Sequence, residues 1–102
     1  MSTYTFTRDA DEDVTAIWLA TEERWGETQA DNYVDDLFRG CERVVENIAA
    51  TRALEGLASV RFFRCQRHYL FYTQQGDDIV IIAILHERMD LPNRLAKRLD
   101  QM

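Results

Sequence analysis

The sequence predicts an α+β fold in which a helical hairpin covers one face of a mainly antiparallel sheet. Apolar residues recur in steps of three and four through the first half, and the pattern changes to alternation after Ser59. The wholly apolar run Ile79 to Leu85 is typical of a central strand buried on both faces. With a short first strand at Tyr4 to Thr7, the predicted order is β-α-α-β-β-β, followed by a short C-terminal helix.

The first helix is predicted from its ends as well as its periodicity. Asp9 with Glu12 three residues later resembles a capping box, so the helix should begin there. Gly26 follows the last apolar position, which is typical of a helix end that bends into a hairpin. We expect Trp18 and Trp25 to anchor the core or the hairpin, although tryptophan is also enriched at interface hot spots.

The second helix has the clearest periodicity in the chain. Its opposite face is acidic, which indicates a solvated helix surface. Its apolar stripe consists of Ala30, Tyr33, Val34, Leu37, Phe38, Cys41, Val44, Val45 and Ile48.

The second half should form a loop, Thr51 to Ser59, and then three strands. Short connections between strands favour antiparallel neighbours. The predicted strands are Val60 to Cys65, His68 to Thr73 and Ile79 to Leu85. The last helix should begin at Asp90, which is a good capping residue and lies just before Pro92.

Composition fits one domain, residues 1–102, with 46% hydrophobic content. No apolar run is long enough to cross a membrane and the start lacks the features of a secretion signal, so we expect a cytoplasmic protein. Cys41 and Cys65 are not spaced as a metal site, and no nucleotide-binding loop or catalytic triad can be recognised. We therefore expect no cofactor and no metal.

The charge distribution argues for a protein partner. The formal net charge is -6, with twelve acids and four arginines in residues 1–50 but six acids and eight basic groups in residues 51–102. Nucleic-acid binders normally place a dense basic surface against phosphate. An acidic chain with a mildly basic second half lacks that feature, so direct sequence-specific nucleic-acid binding is not expected.

Three motifs of this sequence occur together in one protein family. They are the turn Trp25-Gly26-Glu27-Thr28-Gln29-Ala30, the strand His68-Tyr69-Leu70-Phe71-Tyr72 and the ending Leu85-His86-Glu87-Arg88-Met89-Asp90. In this order and spacing, the chain resembles the ParE toxins of the RelE/ParE superfamily of type II toxin-antitoxin modules. The segment Asn47 to Leu57 departs from the pattern, since it lacks the proline and the Gly-Arg pair of relatives.

The resemblance implies a non-enzymatic toxin that inhibits DNA gyrase by binding and forms a hetero-oligomer with a ParD-like antitoxin. A buried strand ending in an exposed polar block suits the gyrase-facing role, with candidates His86, Arg88, Met89, Asp90 and Arg94. The earlier strand Val60 to Cys65 carries aromatics flanked by arginines, which would suit an acidic antitoxin segment. The candidates there are Arg61, Phe62, Phe63 and Arg64.

Two alternatives remain open at this point. A RelE-type ribosome-dependent mRNA endoribonuclease would need a base, an acid and cations near the phosphate. The candidates for those roles are Arg61, Arg64, Arg67, His68, Tyr69, Tyr72 and His86. Alternation sends Arg61 and Arg64 to opposite strand faces, which weakens this interpretation. The other alternative is a toxin-like domain that has lost its activity and serves only as a repressor partner.

Overall fold

The computed structural model describes residues 3–46 and 50–101. Three helices and five strands follow one another along the chain. In order they are β1 (Tyr4–Phe6), α1 (Arg8–Trp25), α2 (Glu27–Val45), β2 (Arg52–Leu54), β3 (Leu57–Cys65), β4 (His68–Gln75), β5 (Asp78–His86) and α3 (Leu91–Asp100). The α+β class and the helical hairpin are as predicted. Ile48, the last predicted position of the α2 stripe, lies outside the described residues.

The strands form one sheet in the order β1-β5-β4-β3-β2. β1 pairs with β5 in parallel, and all other pairs are antiparallel. The α1–α2 hairpin packs on one face of this sheet and α3 packs on the other. The sheet is therefore the middle layer of three.

Each face of the sheet has its own hydrophobic core. The larger core lies under the hairpin and includes Leu37, Cys41 and Leu70. The smaller one lies under α3 and includes Phe71 and Leu95. Strand β5 contributes to both cores, which confirms that it is a central strand buried on two faces. Its isoleucines at 79, 81 and 82 are each exposed by 1% or less.

The predicted loop Thr51 to Ser59 is wrong, because this segment contains β2 and the beginning of β3. β2 pairs with β3 through Arg52 and Phe62, and the two strands are joined by a tight turn in which Gly56 has a φ of 83°. β2 spans three residues, too few for an alternating pattern to be visible. It adds a fifth strand at one edge of the sheet.

The helix starts differ from the prediction in one of two cases. The N-terminal cap of α1 is Thr7, whose hydroxyl accepts a hydrogen bond from the Ala10 amide at 3.1 Å, so the predicted Asp9 cap is wrong. α3 does begin after Asp90, with Pro92 in its first turn. The Asp90 carboxylate accepts a hydrogen bond from the side chain of Asn93 at 2.6 Å rather than from a backbone amide.

Side chains of α1 and α3 form hydrogen bonds with the backbone of β5 next to a bulge in that strand. The pairing with β4 shifts between Phe71 and Tyr72, so that Ile82 and the following alanine both pack on the α3 side. β1 pairs no further than Ile81. Beyond it, the Ile84 amide donates to a carboxylate oxygen of Asp13 at 3.0 Å, and the Ile82 carbonyl accepts from Arg98 at 2.8 Å. Beyond the end of β1, these side chains therefore take the place of a neighbouring strand as hydrogen-bond partners of the β5 backbone.

Two further predictions concern membranes and cysteines. Within residues 3–46 and 50–101, no helix is long and apolar enough to span a membrane. Cys41 is buried and Cys65 is half-buried, and both are free thiols. Burial raises the pKa of Cys41 to about 12, which keeps this thiol protonated and unreactive.

Candidate partner-binding site

The turn after β5 is held in one conformation by three hydrogen bonds. The Glu87 amide donates to the Arg67 carbonyl at 2.9 Å, and the Met89 amide donates to the His86 carbonyl at 3.0 Å. The Arg88 amide donates to Nδ1 of His86 at 3.1 Å. His86 therefore both ends the buried strand and shapes the turn that follows.

This turn, residues 86–90, forms an exposed block at the end of β5. Its first two residues are half-buried, and its last three are exposed. Met89 is 42% exposed, which is unusual for a large apolar side chain and leaves it available to a partner. Arg94 lies on the exposed surface of α3, just beyond the block. The structure thus brings the five candidates for the gyrase-facing surface to one end of the molecule.

Arginines near the end of β3 and in the β3–β4 connection border the exposed block. Glu87 forms ion pairs with Arg64 and Arg67, the second at 4.0 Å. The two arginine side chains are 53% and 65% exposed, so these pairs contribute little to stability. The ion pairs instead position the two arginines, because they hold both guanidinium groups beside the turn.

Beneath the block, the rings of a tyrosine and two histidines contact one another edge to face. The Tyr33 hydroxyl lies 2.6 Å from Nδ1 of His68 and accepts from the Arg67 amide at 3.2 Å, so its own proton is free to be donated to His68. The rings of His68 and His86 meet edge to face with centroids 5.1 Å apart. Burial, followed by the proximity of His86, lowers the pKa of His68 to about 4, so His68 is neutral at pH 7.

The seven candidates for a nuclease site do not form a single constellation. Tyr72 is 2% exposed in the core under the hairpin. In the β3–β4 pairing, Arg61 lies opposite Tyr72, and its guanidinium group donates hydrogen bonds to the Thr51 hydroxyl. Arg64 lies opposite Tyr69, on the other face of the sheet. The prediction that these two arginines lie on opposite faces is confirmed. The remaining group, His68, His86 and Arg67, lies at the end of the sheet.

A groove of about 950 Å³ lies on the opposite face, between α3 and strands β2 to β4. Its floor is aromatic, with Phe62, Tyr69 and Phe71, and its α3 wall is aliphatic, with Leu91 and Leu99. Arg52, Glu55 and Arg64 contribute charged side chains to its lining. An apolar floor with basic groups at its border suits an amphipathic segment that carries acids.

The four candidates for antitoxin binding are divided between the two faces of β3. Phe62 and Arg64 pair with Phe71 and Tyr69 and belong to the groove side. Phe63 packs in the core under the hairpin and is 5% exposed. Arg61 also belongs to that face. Phe62, Phe63 and Arg64 all line the groove, but the Phe63 side chain is packed in the core under the hairpin, so only Phe62 and Arg64 are available there to a partner segment.

The exposure of the hairpin tip was not predicted from the sequence. Trp18 is half-buried and donates to Asp31 at 2.8 Å, as expected of an anchor. Trp25 is 69% exposed, so its predicted anchoring role is wrong. Gly26, with a φ of 92°, turns the chain directly into α2, and the tryptophan is left on the outside of the bend.

The family of the chain follows from its similarity to known proteins. Residues 4–91 match the family model described as the ParE toxin of the type II toxin-antitoxin system parDE. The chain belongs to the ParE toxin family. It is 36% identical to the toxin ParE of Escherichia coli over 97% of this chain and 98% of that protein. It is 33% identical to the toxin ParE1 of Caulobacter vibrioides, over 88% of this chain and 94% of the relative.

The fold of this ParE-family chain is also found in a solved structure. A chain of the chromosomal ParDE TA system from P. aeruginosa superposes with a TM-score of 0.71 and 24% sequence identity. The match covers 84% of this chain and 96% of that one. The predicted ParE-like architecture is thereby confirmed.

Proposed function

We propose that this ParE-family toxin acts in the cytoplasm by binding DNA gyrase, and that a ParD-like antitoxin neutralises it. The observation that carries the proposal is the exposed block of residues 86–90, which follows a strand buried on both faces and is fixed by its own hydrogen bonds. A binding surface on a rigid element loses little conformational entropy when a partner is bound. His86, Arg88, Met89, Asp90 and Arg94 would face gyrase.

The proposed mechanism requires no chemistry by the toxin. A ligand shifts an enzyme between conformational states only by its difference in affinity for them. A toxin that binds one state of the gyrase cycle more tightly, such as the state with cleaved DNA, would stop turnover there. Arg88 and Arg94 supply charge for this contact, and Met89 supplies an apolar side chain.

The antitoxin is proposed to occupy the groove between α3 and the sheet. Phe62 and Phe71 offer an apolar floor to the hydrophobic side of a helix or extended segment. Arg64, at the border, is suited to an acid on that segment. A partner held here would contact both α3 and the sheet next to the exposed block, which would block access of gyrase to that end.

A RelE-type ribosome-dependent endoribonuclease is the second candidate. The adjacent His68 and His86, with the Tyr33 hydroxyl and Arg67 beside them, are groups that could assist phosphodiester cleavage. Against this, His68 is buried and its Nδ1 is engaged by Tyr33. The acidic net charge also disfavours approach to the ribosome.

Induction of the toxin alone in cells separates the two functions. The gyrase proposal predicts double-strand breaks with an SOS response, no codon-linked cuts in primer extension on cellular messages, and rescue by the antitoxin. Discrete cuts in translated messages with normal chromosomal DNA would refute it in favour of the nuclease. Harmless expression without antitoxin would refute both and would support a toxin-like repressor partner.

A further inference from the structure

The tip of the helical hairpin extends past the sheet in the direction of the exposed block. The Thr7 amide bonds the Ile81 carbonyl, and Asp13 accepts from the Ile84 amide, so α1 and β5 run in the same direction. From Asp13, α1 continues to Trp25 for about 18 Å at 1.5 Å per residue. From Ile84, β5 continues for only about 7 Å to its end. The tip therefore overhangs the sheet by roughly 10 Å.

The position of α2 independently places the hairpin tip beyond the end of the sheet. Early in α2, the Tyr33 hydroxyl contacts His68, which pairs with His86 at the end of β5. The bend at Gly26 comes before this level of α2, again beyond the end of the sheet. Trp25 and Met89, two of the four exposed large apolar residues within residues 3–46 and 50–101, thus project from the same end of the molecule.

The exposed side chains around Trp25 at the hairpin tip are mostly acidic. Glu22, Glu23 and Glu27 are exposed within three residues of the tryptophan, and Arg24 is the basic residue among them. An exposed tryptophan with an acidic border is suited to a pocket in a basic protein surface. The phosphates of DNA would be repelled by these carboxylates. The tip also belongs to the hairpin layer, whereas the proposed antitoxin groove lies on the α3 side of the sheet.

We infer that the hairpin tip is a second contact with gyrase, in which Trp25 enters a basic protein surface while the exposed block makes the first contact. This inference rests on the gyrase binding proposed above. Two contacts at one end of the toxin would bind the same partner together, so losing either would weaken the complex without abolishing folding. Trp25 would be a hot spot and its acidic border would accelerate association.

Surface plasmon resonance with immobilised gyrase holoenzyme and linear DNA tests the inference. Trp25→Ala should weaken the Kd about 10- to 30-fold, as expected of a hot-spot tryptophan. Leu19→Ala is the matched control, since Leu19 is 54% exposed on the same helix but lies away from the tip, and it should stay within about twofold of the unmodified toxin. The triple variant Glu22→Gln, Glu23→Gln, Glu27→Gln should lower the association rate at low salt, with a smaller difference at high salt.

Each other outcome overturns the inference in a recognisable way. If the unmodified toxin binds gyrase and Trp25→Ala binds equally well, the inference fails while the gyrase proposal stands. If the unmodified toxin does not bind gyrase, both fail. If Trp25→Ala weakens antitoxin binding or toxin self-association to the same extent as gyrase binding, the tip serves another contact and the inference is wrong.

Discussion

Arg98 donates to both carboxylate oxygens of Asp13, at 2.9 Å each, and thereby joins the last helix to the first around the edge of the sheet. The two side chains are 16% and 19% exposed. The hydrogen bond to Asp13 raises the pKa of Arg98, so the guanidinium group stays charged. Because the same two side chains also satisfy the backbone of Ile82 and Ile84, the pair fixes α3 relative to β5.

Breaking this pair should destabilise the fold strongly. Arg98→Met leaves the Asp13 charge largely buried with one partner removed, and we expect the free energy of unfolding to fall by about 2 to 4 kcal/mol. Arg98→Lys should recover only part of this loss, because an ammonium group cannot donate to both carboxylate oxygens in the same fork geometry. Urea unfolding measures the change. A loss below about 0.5 kcal/mol, the range of an exposed pair, would contradict a structural role for the contact.

The stability of the protein should fall in mildly acidic solution because of His68. Its pKa is about 4 in the folded protein against an ordinary value of 6.5. Between these values the unfolded chain binds the proton and the folded chain does not, so the free energy of unfolding decreases as the pH drops from 6.5 to 4. The contribution is up to about 3 kcal/mol. Facing groups that also titrate or carry charge are His86, Glu87, Asp13 and Tyr33.

A comparison with His68→Gln isolates this contribution, since the variant keeps a polar side chain but cannot take up the proton. Unfolding in urea at several pH values should give a smaller slope between pH 6.5 and 4 for the variant. Equal slopes would mean that the folded protein protonates His68 as readily as the unfolded chain does. The buried environment of His68 would then have no influence on its titration.

Side chains on the groove face of β3 should contribute to antitoxin binding, whereas side chains on its hairpin face should not. Phe62→Ala removes part of the groove floor and should weaken binding of the cognate antitoxin about tenfold or more. Arg61→Ala, on the adjacent residue but the opposite face, is the matched control and should bind within about twofold. Isothermal titration calorimetry with the purified antitoxin distinguishes them. The reverse order of effects would place the antitoxin on the hairpin side.

Long elements with a uniform pattern could be predicted from the sequence, whereas contacts between distant residues could not. β5 is apolar from Ile79 to Leu85 and α2 has an uninterrupted apolar stripe, so each was recognisable locally. β2 was missed because a strand of three residues is too short to show a period. The sequence around Asp13 does not indicate that its partner is Arg98, 85 residues further along the chain. For Trp25, average burial favoured the core, but the hairpin extends beyond the sheet that would have covered it.

The same distinction applies to the candidate site. The exposed block could be predicted because a buried strand that ends in polar residues must leave them at the surface. The antitoxin candidates were taken as a run of four neighbours, and the alternation of a strand divides any such run between two faces. The α3 wall of the groove was not predicted either. It depends on how the last helix packs against β3 and β4, which the local sequence does not encode.

The central claim is that the toxin stops gyrase by binding through the exposed block. The most direct measurement is the titration of a purified gyrase supercoiling reaction with the toxin and with the double variant Arg88→Ala, Met89→Ala. The toxin should inhibit supercoiling, the antitoxin should relieve this, and the folded double variant should need at least about tenfold more protein while it still binds antitoxin. Inhibition by the double variant at the same concentration as the unmodified toxin would contradict the assignment of the block.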